Sequence, residues 1–203
     1  MKKLHLVIVL SLVQIICFSQ DNWSLKKDGN GVAVYTRKLN NEKYKEIRVK
    51  CVFNASVDEL LKILQDVNHH KDWVYKTIKS YMLCWKSRDT LVYYSEISVP
   101  WPASNRDAVV QLTVARDSLN KNYKIEVRSF PNLIPVKSNI IRVPYSLASY
   151  NIIALPNNRI SIDYILRVDP GGSLPAWLVN YTATIGPYNT FVKLKEMVEH
   201  GRS

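Results

Sequence analysis

Cysteine and histidine, the side chains that most often build redox and metal sites, are scarce in this chain. Its 203 residues include three cysteines and four histidines, and no two cysteines have the CxxC spacing of a redox pair or a zinc site. His69 and His70 are adjacent and precede Lys71, so their side chains point apart beside a charge that repels cations. We therefore expect no metal centre and no cofactor.

Motifs of common catalytic sites are missing as well. The sequence has no GxSxG, HExxH, P-loop or dinucleotide-binding fingerprint. It also has no internal repeat, no linker and no low-complexity segment, which indicates one domain. These absences favour a protein that binds a partner over an enzyme.

The N-terminus has the only apolar run long enough to act as a targeting segment. Two lysines precede residues 6–13, which are almost wholly apolar. This pattern predicts a Sec signal peptide over residues 1–19 and an exported domain over residues 20–203, either periplasmic or extracellular. The run is too short for a transmembrane helix. A lipoprotein anchor at Cys17 is the alternative, although Ile16 is bulkier than such anchors prefer.

Basic residues outnumber acidic ones, with 28 Lys and Arg against 17 Asp and Glu. An exported protein rarely meets nucleic acid, so the positive charge favours an anionic membrane surface as a transient partner. A basic surface without a specific partner is the alternative.

Cys51 and Cys84 could form one disulfide, but Cys51 follows Ile47 and Val49 on an apolar strand face, which suits a buried free thiol equally well.

Two helical regions flank a long run of strands. Ser56 and Glu59 form a capping box before a helix that we expect to end near Asn68, and residues 69–74 suit a short helical turn anchored by Trp73. Alternating apolar residues predict strands at 31–37, 44–53, 78–86, 90–99, 107–115, 123–130, 139–144, 149–155 and 159–169. The order of elements predicts an α+β domain.

The final helix is predicted over residues 174–199. Its apolar stripe includes Trp177, Tyr181 and Tyr188. Pro187, directly after Gly186, predicts a kink or a short break, because proline removes a backbone donor and crowds the preceding turn.

Two Pro-rich segments at strand ends carry a family resemblance. Residues 95–107 read Ser-Glu-Ile-Ser-Val-Pro-Trp-Pro-Ala-Ser-Asn-Arg-Asp, and residues 169–180 read Asp-Pro-Gly-Gly-Ser-Leu-Pro-Ala-Trp-Leu-Val-Asn. With Trp73 and the order of elements, they resemble the START (StAR-related lipid transfer) family across the mature chain. The resemblance implies a helix-grip fold, in which a curved antiparallel sheet wraps around a long C-terminal helix and encloses a cavity.

The resemblance also implies where the cavity and its entrance lie. Residues 100–105 become the gate loop, and the C-terminal helix becomes the lid. The expected cavity or gate residues are Trp73, Tyr93, Glu96, Val99, Trp101, Arg106, Asp107, Arg142, Tyr164, Trp177, Tyr181 and Tyr188. Tyrosine suits a pocket for an amphiphile because its ring is apolar and its tip polar. An ordinary core with tyrosines at its edge is the alternative.

Individual gate residues have two interpretations each. Trp101 either inserts into a membrane or contacts the lid, or it packs beneath the lid helix. Arg106 and Asp107 form a structural pair, or Arg106 meets an anionic headgroup. Arg142 is a surface residue or an inward cation. Residues 108–114 lack the inward arginine of some sterol-binding family members, which argues against a sterol.

Together these observations predict a monomeric carrier or sensor of one lipid or other hydrophobic molecule, acting without catalysis. One rival is an enzyme of the cyclase/aromatase type on the same scaffold. The other is an interaction module whose pocket is filled by its own aromatic side chains. The lipid itself is not identified by the sequence.

Overall fold

The computed structural model describes residues 22–39, 44–117, 122–174 and 176–201, without the side chains of residues 176, 177, 180 and 181. The predicted signal peptide therefore lies outside the described residues. The elements are β1 (Ser24–Gly29), β2 (Val32–Lys38), β3 (Lys45–Phe53), α1 (Val57–Gln65), a 3-10 helix (Val67–Asp72), β4 (Thr77–Ser87), β5 (Thr90–Ile97), β6 (Asn105–Asp117), β7 (Asn122–Ser129), β8 (Ile140–Arg142), β9 (Tyr145–Leu155), β10 (Arg159–Asp169) and α2 (Ala176–His200).

A single curved sheet of ten strands dominates the fold. Its order is β1-β2-β3-β10-β9-β7-β6-β5-β4, and neighbouring strands in this order are antiparallel. The short strand β8 pairs in parallel with the first residues of β6, where β7 no longer reaches. Helix α2 packs chiefly on β2 and β3. The predicted α+β helix-grip arrangement of a curved antiparallel sheet and a C-terminal helix is confirmed, whereas the enclosed cavity stays a prediction.

Helix α1 begins where the sequence predicts. The Ser56 hydroxyl accepts a hydrogen bond from the Glu59 amide at 3.2 Å, and the Glu59 carboxylate accepts one from the Ser56 amide at 2.7 Å. The helix buries Leu60 and Leu64 in the hydrophobic core. It ends at Gln65, earlier than predicted, because the chain leaves helical geometry at the next residue and continues as the 3-10 helix.

Other boundaries differ from the sequence-based expectation. Strand β1 was not predicted, since its sequence Ser-Leu-Lys-Lys-Asp-Gly has no apolar alternation and its strand geometry comes from pairing with β2. Strand β9 begins four residues earlier than expected, at Tyr145. Helix α2 contains Pro187 and continues through it, so the predicted break is wrong, whereas the kink stays a prediction.

The two edge strands carry features that discourage pairing with other chains. Strand β4 has register irregularities at three points along β5, and Lys79 and Lys86 lie exposed on it. Strand β1 has one irregularity, after Leu25, and carries Lys26 and Lys27. Bulges and lysines at a sheet edge oppose the addition of a foreign strand.

The main core lies between α1, α2 and the concave side of the sheet, here called the inner face. Buried inner-face residues include Val34, Val49, Leu112, Ile125 and Ile162, each at most 2% exposed. They alternate with outward residues along each strand, as an antiparallel sheet with one packed face requires. The inner face therefore determines what can occupy the space beneath α2.

Cys51 is buried on the inner face, Cys84 is exposed on β4, and both are free thiols. The alternative of a disulfide between them is wrong. None of the helices in the described ranges combines the length and apolarity needed to cross a membrane.

Candidate lipid-binding site

Three buried tyrosines on the inner face form what we call the tyrosine wall: Tyr93 on β5, Tyr150 on β9 and Tyr164 on β10. Each is 8 to 9% exposed. Tyr150 and Tyr164 are directly opposed in the β9–β10 register, and their ring centroids are 4.6 Å apart in an edge-on arrangement. Phe191 of α2 lies 4.9 Å from the Tyr164 ring. The wall thus lies partly beneath the C-terminal helix.

Burial keeps the wall uncharged. Removal from water raises the pKa of all three tyrosines, because the phenolate form loses its hydration. The pKa of Tyr150 is raised further by the nearby Tyr164 and Tyr93. Cys51, on the same inner face, also has its pKa raised mainly by burial. These groups offer neutral hydroxyls and a neutral thiol at physiological pH.

Tyr93 also contacts a second aromatic group, which is formed by His70 of the 3-10 helix and Trp73, the residue after it. The His70 ring lies edge-on to Tyr93 at 5.1 Å and to Trp73 at 5.0 Å. Its Nε2 lies 2.9 Å from the Leu64 carbonyl oxygen, which only accepts, so Nε2 carries a proton. Burial lowers the pKa of His70 to about 4, and the ring is neutral at pH 7.

The prediction that the two histidines point apart is correct. His69 is exposed and lies 2.8 Å from an Asp66 oxygen, whereas His70 is buried. Trp73 is buried as its predicted anchoring role requires, at 5% exposure. Within the described residues, no cluster of His, Cys, Asp or Glu side chains could hold a metal ion.

The gate loop, residues 100–105, joins β5 to β6 and presents Trp101 to solvent. Trp101 is 92% exposed, so the alternative that it packs beneath the lid helix is wrong. Asn105 closes the loop base, accepting from the Val99 amide and donating to Glu96, both at 3.3 Å. Glu96 also accepts from the Tyr94 hydroxyl at 3.1 Å. Glu96 and Val99 therefore support the gate loop from its base.

Arg106 and Asp107 do not pair with each other, which corrects the sequence-based expectation. Successive strand residues point to opposite faces, so Asp107 turns outward with Glu96 while Arg106 turns inward. Asp107 instead accepts two hydrogen bonds from Arg142, at 2.7 Å and 3.0 Å. Asp107 is 1% exposed and Arg142 is 7% exposed, so Arg142 is not a surface residue. It is not an inward cation either, because its partner Asp107 points outward.

Arg142 organises the segment that follows β7. Besides Asp107, its guanidinium donates to the backbone carbonyls of Pro131 at 2.6 Å, Ile134 at 3.1 Å and Pro135 at 3.3 Å. The Val143 amide donates to the Asp107 carbonyl at 2.8 Å. Asp107 and Arg142 therefore join the base of the gate loop to a second loop on the outer side of the sheet.

Arg106 connects the gate loop to the turn before α2. Its guanidinium donates to the Ser104 carbonyl in the gate loop and, at 3.3 Å, to the Gly171 carbonyl in the turn. Burial lowers its pKa, and Nε has no hydrogen-bond partner in the described part of the chain. Gly171 has a φ of +68°, and a Cβ there would lie 3.0 Å from Pro144. The turn therefore requires glycine to approach the sheet this closely.

The C-terminal half of α2 is firmly anchored. Phe191 and Leu194 are at most 2% exposed in the main core. Tyr188, predicted as a cavity residue, lies against the β1–β2 turn, where its hydroxyl accepts from Asn30 at 3.2 Å and Lys27 lies 3.8 Å over its ring. Its role in the described contacts is to fix the helix to the sheet.

The structure thus places the predicted site residues in three groups. The inner-face group contains Trp73, Tyr93 and Tyr164; the gate group contains Glu96, Val99, Trp101, Arg106, Asp107 and Arg142; and Tyr188 belongs to the helix anchor. The side chains of Trp177 and Tyr181 lie outside the described set. Sequence reasoning did not assign His70 or Tyr150 to the site. Tyr150 lies two residues from Ala148 and two from Ile152 on β9, and this spacing in the sequence already indicated that all three side chains share the inner face.

Comparisons with known proteins agree with this arrangement. An uncharacterised protein of Pseudomonas aeruginosa is 28% identical over 179 residues, covering 88% of each chain. A phosphatidylcholine transfer protein of Rattus norvegicus is 29% identical over 184 residues, covering 88% of this chain and 83% of that protein. The crystal structure of a STAR-related lipid transfer protein fragment from Xanthomonas axonopodis superposes with a TM-score of 0.81 at 28% identity, covering 88% of this chain and 99% of the fragment. The START domain family matches residues 9–201, and this chain belongs to that family.

Proposed function

We propose that this domain holds one lipid or other hydrophobic molecule between the inner face of the sheet and α2, and carries it between membrane surfaces. The observation that carries this proposal is the inner face itself, which is continuous across the sheet, apolar and lined by neutral tyrosines. Membership of a lipid-transfer family supports the same function.

The energetics of transfer explain why such a surface is useful. Each CH₂ group that leaves an apolar environment for water costs about 0.8 kcal/mol. A chain of roughly sixteen carbons would therefore lose on the order of 12 kcal/mol in open water. An apolar surface beneath a helix offsets most of this free-energy cost, because it keeps the acyl chain out of water. Transfer therefore requires burial of the chain and no covalent step.

The polar groups of the inner face support binding without catalysis. The tyrosines and Cys51 have raised pKa values, and His70 has a lowered one, all mainly through burial. General acid–base catalysis works best with a group whose pKa lies near the operating pH. None of these groups meets that condition at neutral pH.

Entry of the ligand requires the gate loop and the start of α2 to separate. Arg106 links them through two backbone carbonyls, a contact that can be broken and remade without unfolding a strand. The C-terminal half of α2 is anchored in the core, while residues 182–187 are only partly buried or exposed. We infer that the N-terminal part of α2 moves with the gate loop while its C-terminal part stays fixed.

The gate loop is also the proposed membrane contact. Trp101 is 92% exposed on it, and tryptophan is favoured at the membrane–water interface. The domain over residues 20–203 keeps a net charge of +9 once Lys2 and Lys3 are left out of the +11 of the full chain, and this charge would attract it to an anionic membrane. Delivery and docking then take place at the same end of the sheet.

A transfer experiment with matched variants tests the proposal. The purified domain is analysed by native mass spectrometry for a bound lipid, and its transfer of a fluorescent lipid is measured between vesicles containing anionic phosphatidylglycerol. Trp101→Ser should slow transfer about tenfold, as expected for loss of roughly 1.4 kcal/mol of membrane affinity. Trp85→Ser is the control, because Trp85 is 51% exposed on β4 near the opposite end of the sheet.

Three outcomes would contradict the proposal. A protein that neither retains nor accepts any lipid would be an interaction module with a filled interior. Equal transfer rates for the Trp101 and Trp85 variants would remove the gate loop from the membrane contact. Conversion of the bound molecule to a product would instead indicate an enzyme.

A further inference from the structure

Arg106 is a buried cation whose hydrogen bonds within the described residues all go to uncharged groups. It is 4% exposed, and its guanidinium stays charged, because arginine loses its proton only far above physiological pH. Nη1 and Nη2 donate to the backbone carbonyls of Ser104 and Gly171, whereas the buried Nε has no hydrogen-bond partner. Buried donors nearly always have a partner, and a buried ion without an opposite charge is strongly unfavourable. Both observations favour an anion as the missing partner.

The neighbouring carboxylates of this chain are engaged elsewhere. Asp107, the next residue on β6, points to the outer face and accepts two hydrogen bonds from Arg142. Asp169 lies at the end of β10 and accepts a hydrogen bond from the Gly171 amide at 2.9 Å. Within the described ranges, neither of them forms an ion pair with Arg106. The counter-charge would therefore come from a bound molecule.

The position of Arg106 on β6 connects it to the proposed lipid surface. Successive strand residues alternate between faces, so Arg106 shares the inner face with Ala108 and Val110. Ala108 packs against the main core, and Val110, Leu112 and Val114 are buried in it. From Ala108 to Val114 this apolar row spans about 20 Å. An amphiphile lying along the row would have its apolar chain on these side chains and its polar end beside Arg106.

The chemistry of the guanidinium determines which polar end it can bind. Nε and Nη2 lie on one edge of the planar group, and Nη2 has a second N–H besides the one that Gly171 accepts at 3.3 Å. Carboxylate and phosphate oxygens match such a pair of donors and can accept from both at once. One guanidinium balances one negative charge. The site therefore suits a singly charged oxyanion.

We propose that Arg106 binds a singly charged oxyanion at the polar end of the ligand, either the carboxylate of a fatty acid or the phosphodiester of an acidic phospholipid. The proposal rests on the lipid-binding function above and adds the chemical class of the ligand. Arg106 also donates to the gate loop and to the turn before α2, so the anion is held where these two segments meet. A bound anion neutralises the buried charge and thereby favours the closed gate.

The test compares two pairs of single-chain lipids that differ in charge. Oleate is compared with methyl oleate, and oleoyl-lysophosphatidylglycerol with mono-oleoylglycerol. Each lipid is offered to the delipidated domain, and the bound fraction is measured by native mass spectrometry over a range of concentrations. We expect at least one charged lipid to bind about tenfold or more tightly than its neutral counterpart, as hydrogen bonds to a charged group would give. The pair with the larger difference identifies the anion as a carboxylate or a phosphodiester.

Substitutions of Arg106 connect this preference to the site. Arg106→Gln removes the charge and should weaken binding of the preferred anionic lipid about tenfold or more, while binding of its neutral counterpart changes less than about twofold. Arg106→Lys keeps the charge without the paired donors, so its binding should be intermediate. Arg116→Gln is the matched control, because Arg116 lies near the other end of β6 and its side chain is 38% exposed.

Thermal unfolding of the delipidated variants shows whether each is folded. If Arg106→Gln does not fold, Arg106→Lys decides the matter, and it should reduce the preference for the charged lipid at least about threefold. An unchanged preference in that variant would overturn the inference.

The outcomes separate this inference from the proposed function. If each neutral lipid binds as tightly as its charged counterpart, or if Arg106→Gln keeps the full preference, the anion inference is wrong and lipid binding stands. If none of the four lipids binds, both fail. A preference for a charged lipid that is lost in Arg106→Gln and kept in Arg116→Gln supports both.

Discussion

Asp107→Asn should destabilise this domain far more than an ordinary loss of an ion pair. The substitution keeps the shape of the side chain but removes the charge that faces Arg142. Both oxygens of Asp107 accept from Arg142, and the two side chains are 1% and 7% exposed. Breaking a buried pair on one side typically costs about 3–5 kcal/mol, because the remaining charge stays buried without a counter-charge.

The local contacts place this substitution at the lower end of that range. Arg142 keeps three backbone carbonyl acceptors, at Pro131, Ile134 and Pro135, and an asparagine oxygen can still accept one hydrogen bond. We therefore expect a loss of about 3 kcal/mol in the free energy of unfolding. For a domain of this size, that corresponds to a decrease of roughly 6–12 °C in Tm.

Urea unfolding followed by circular dichroism measures the free energy directly. Asp89→Asn is the matched control, because Asp89 pairs with Arg116 on the surface, with the two side chains 36% and 38% exposed. Exposed pairs contribute at most about 1 kcal/mol, and raised salt weakens them. If Asp107→Asn costs no more than Asp89→Asn, the argument that Asp107 and Arg142 hold the gate base and the second loop together is refuted.

Two further predictions concern pH and thiol reactivity. The pKa of His70 is lowered to about 4 in the folded state, against about 6.5 in the unfolded chain, so the unfolded state takes up the proton first as pH falls. Between pH 7 and pH 5 this should remove roughly 2 kcal/mol of stability in urea unfolding. His70→Gln should flatten that slope and His69→Gln should keep it, and the opposite result would contradict the buried neutral ring. For the thiols, a thiol-specific chromogenic reagent should label the exposed Cys84 rapidly and Cys51 only after unfolding, because Cys51 is buried and burial raises its pKa. A rapid phase that persists in Cys84→Ser would show that Cys51 is accessible.

The parts of this fold that local pattern determines were predictable from the sequence. Alternation placed Ile160, Ile162 and Tyr164 on one face of β10, and all three are buried on the inner face. The capping box of Ser56 and Glu59 fixed the start of α1 because both of its hydrogen bonds lie within four residues. In these cases the residues that form the sequence pattern lie close together in the chain, and the structure they determine is local.

The parts that were wrong depend on contacts between distant residues. Asp107 and Arg142 are separated by 35 positions and meet because β8 pairs in parallel with the start of β6. Sequence alone favoured the adjacent Arg106, although successive strand residues face opposite sides. Tyr188 belongs to the apolar stripe of α2, yet its contacts to β1 and β2 follow from where the helix crosses the sheet.

The order of strands also determines how the interior could accommodate ligands of different size. In the described part of the chain, β1 and β4 are the two ends of the sheet and do not pair with each other. A closed barrel could widen only by breaking backbone hydrogen bonds between strands. This open sheet can widen between β1 and β4 while all of its strand pairs stay hydrogen-bonded. The amide hydrogen exchange rates of β1 and β4 should therefore change when a ligand binds, while the rates in β9 and β10 stay constant.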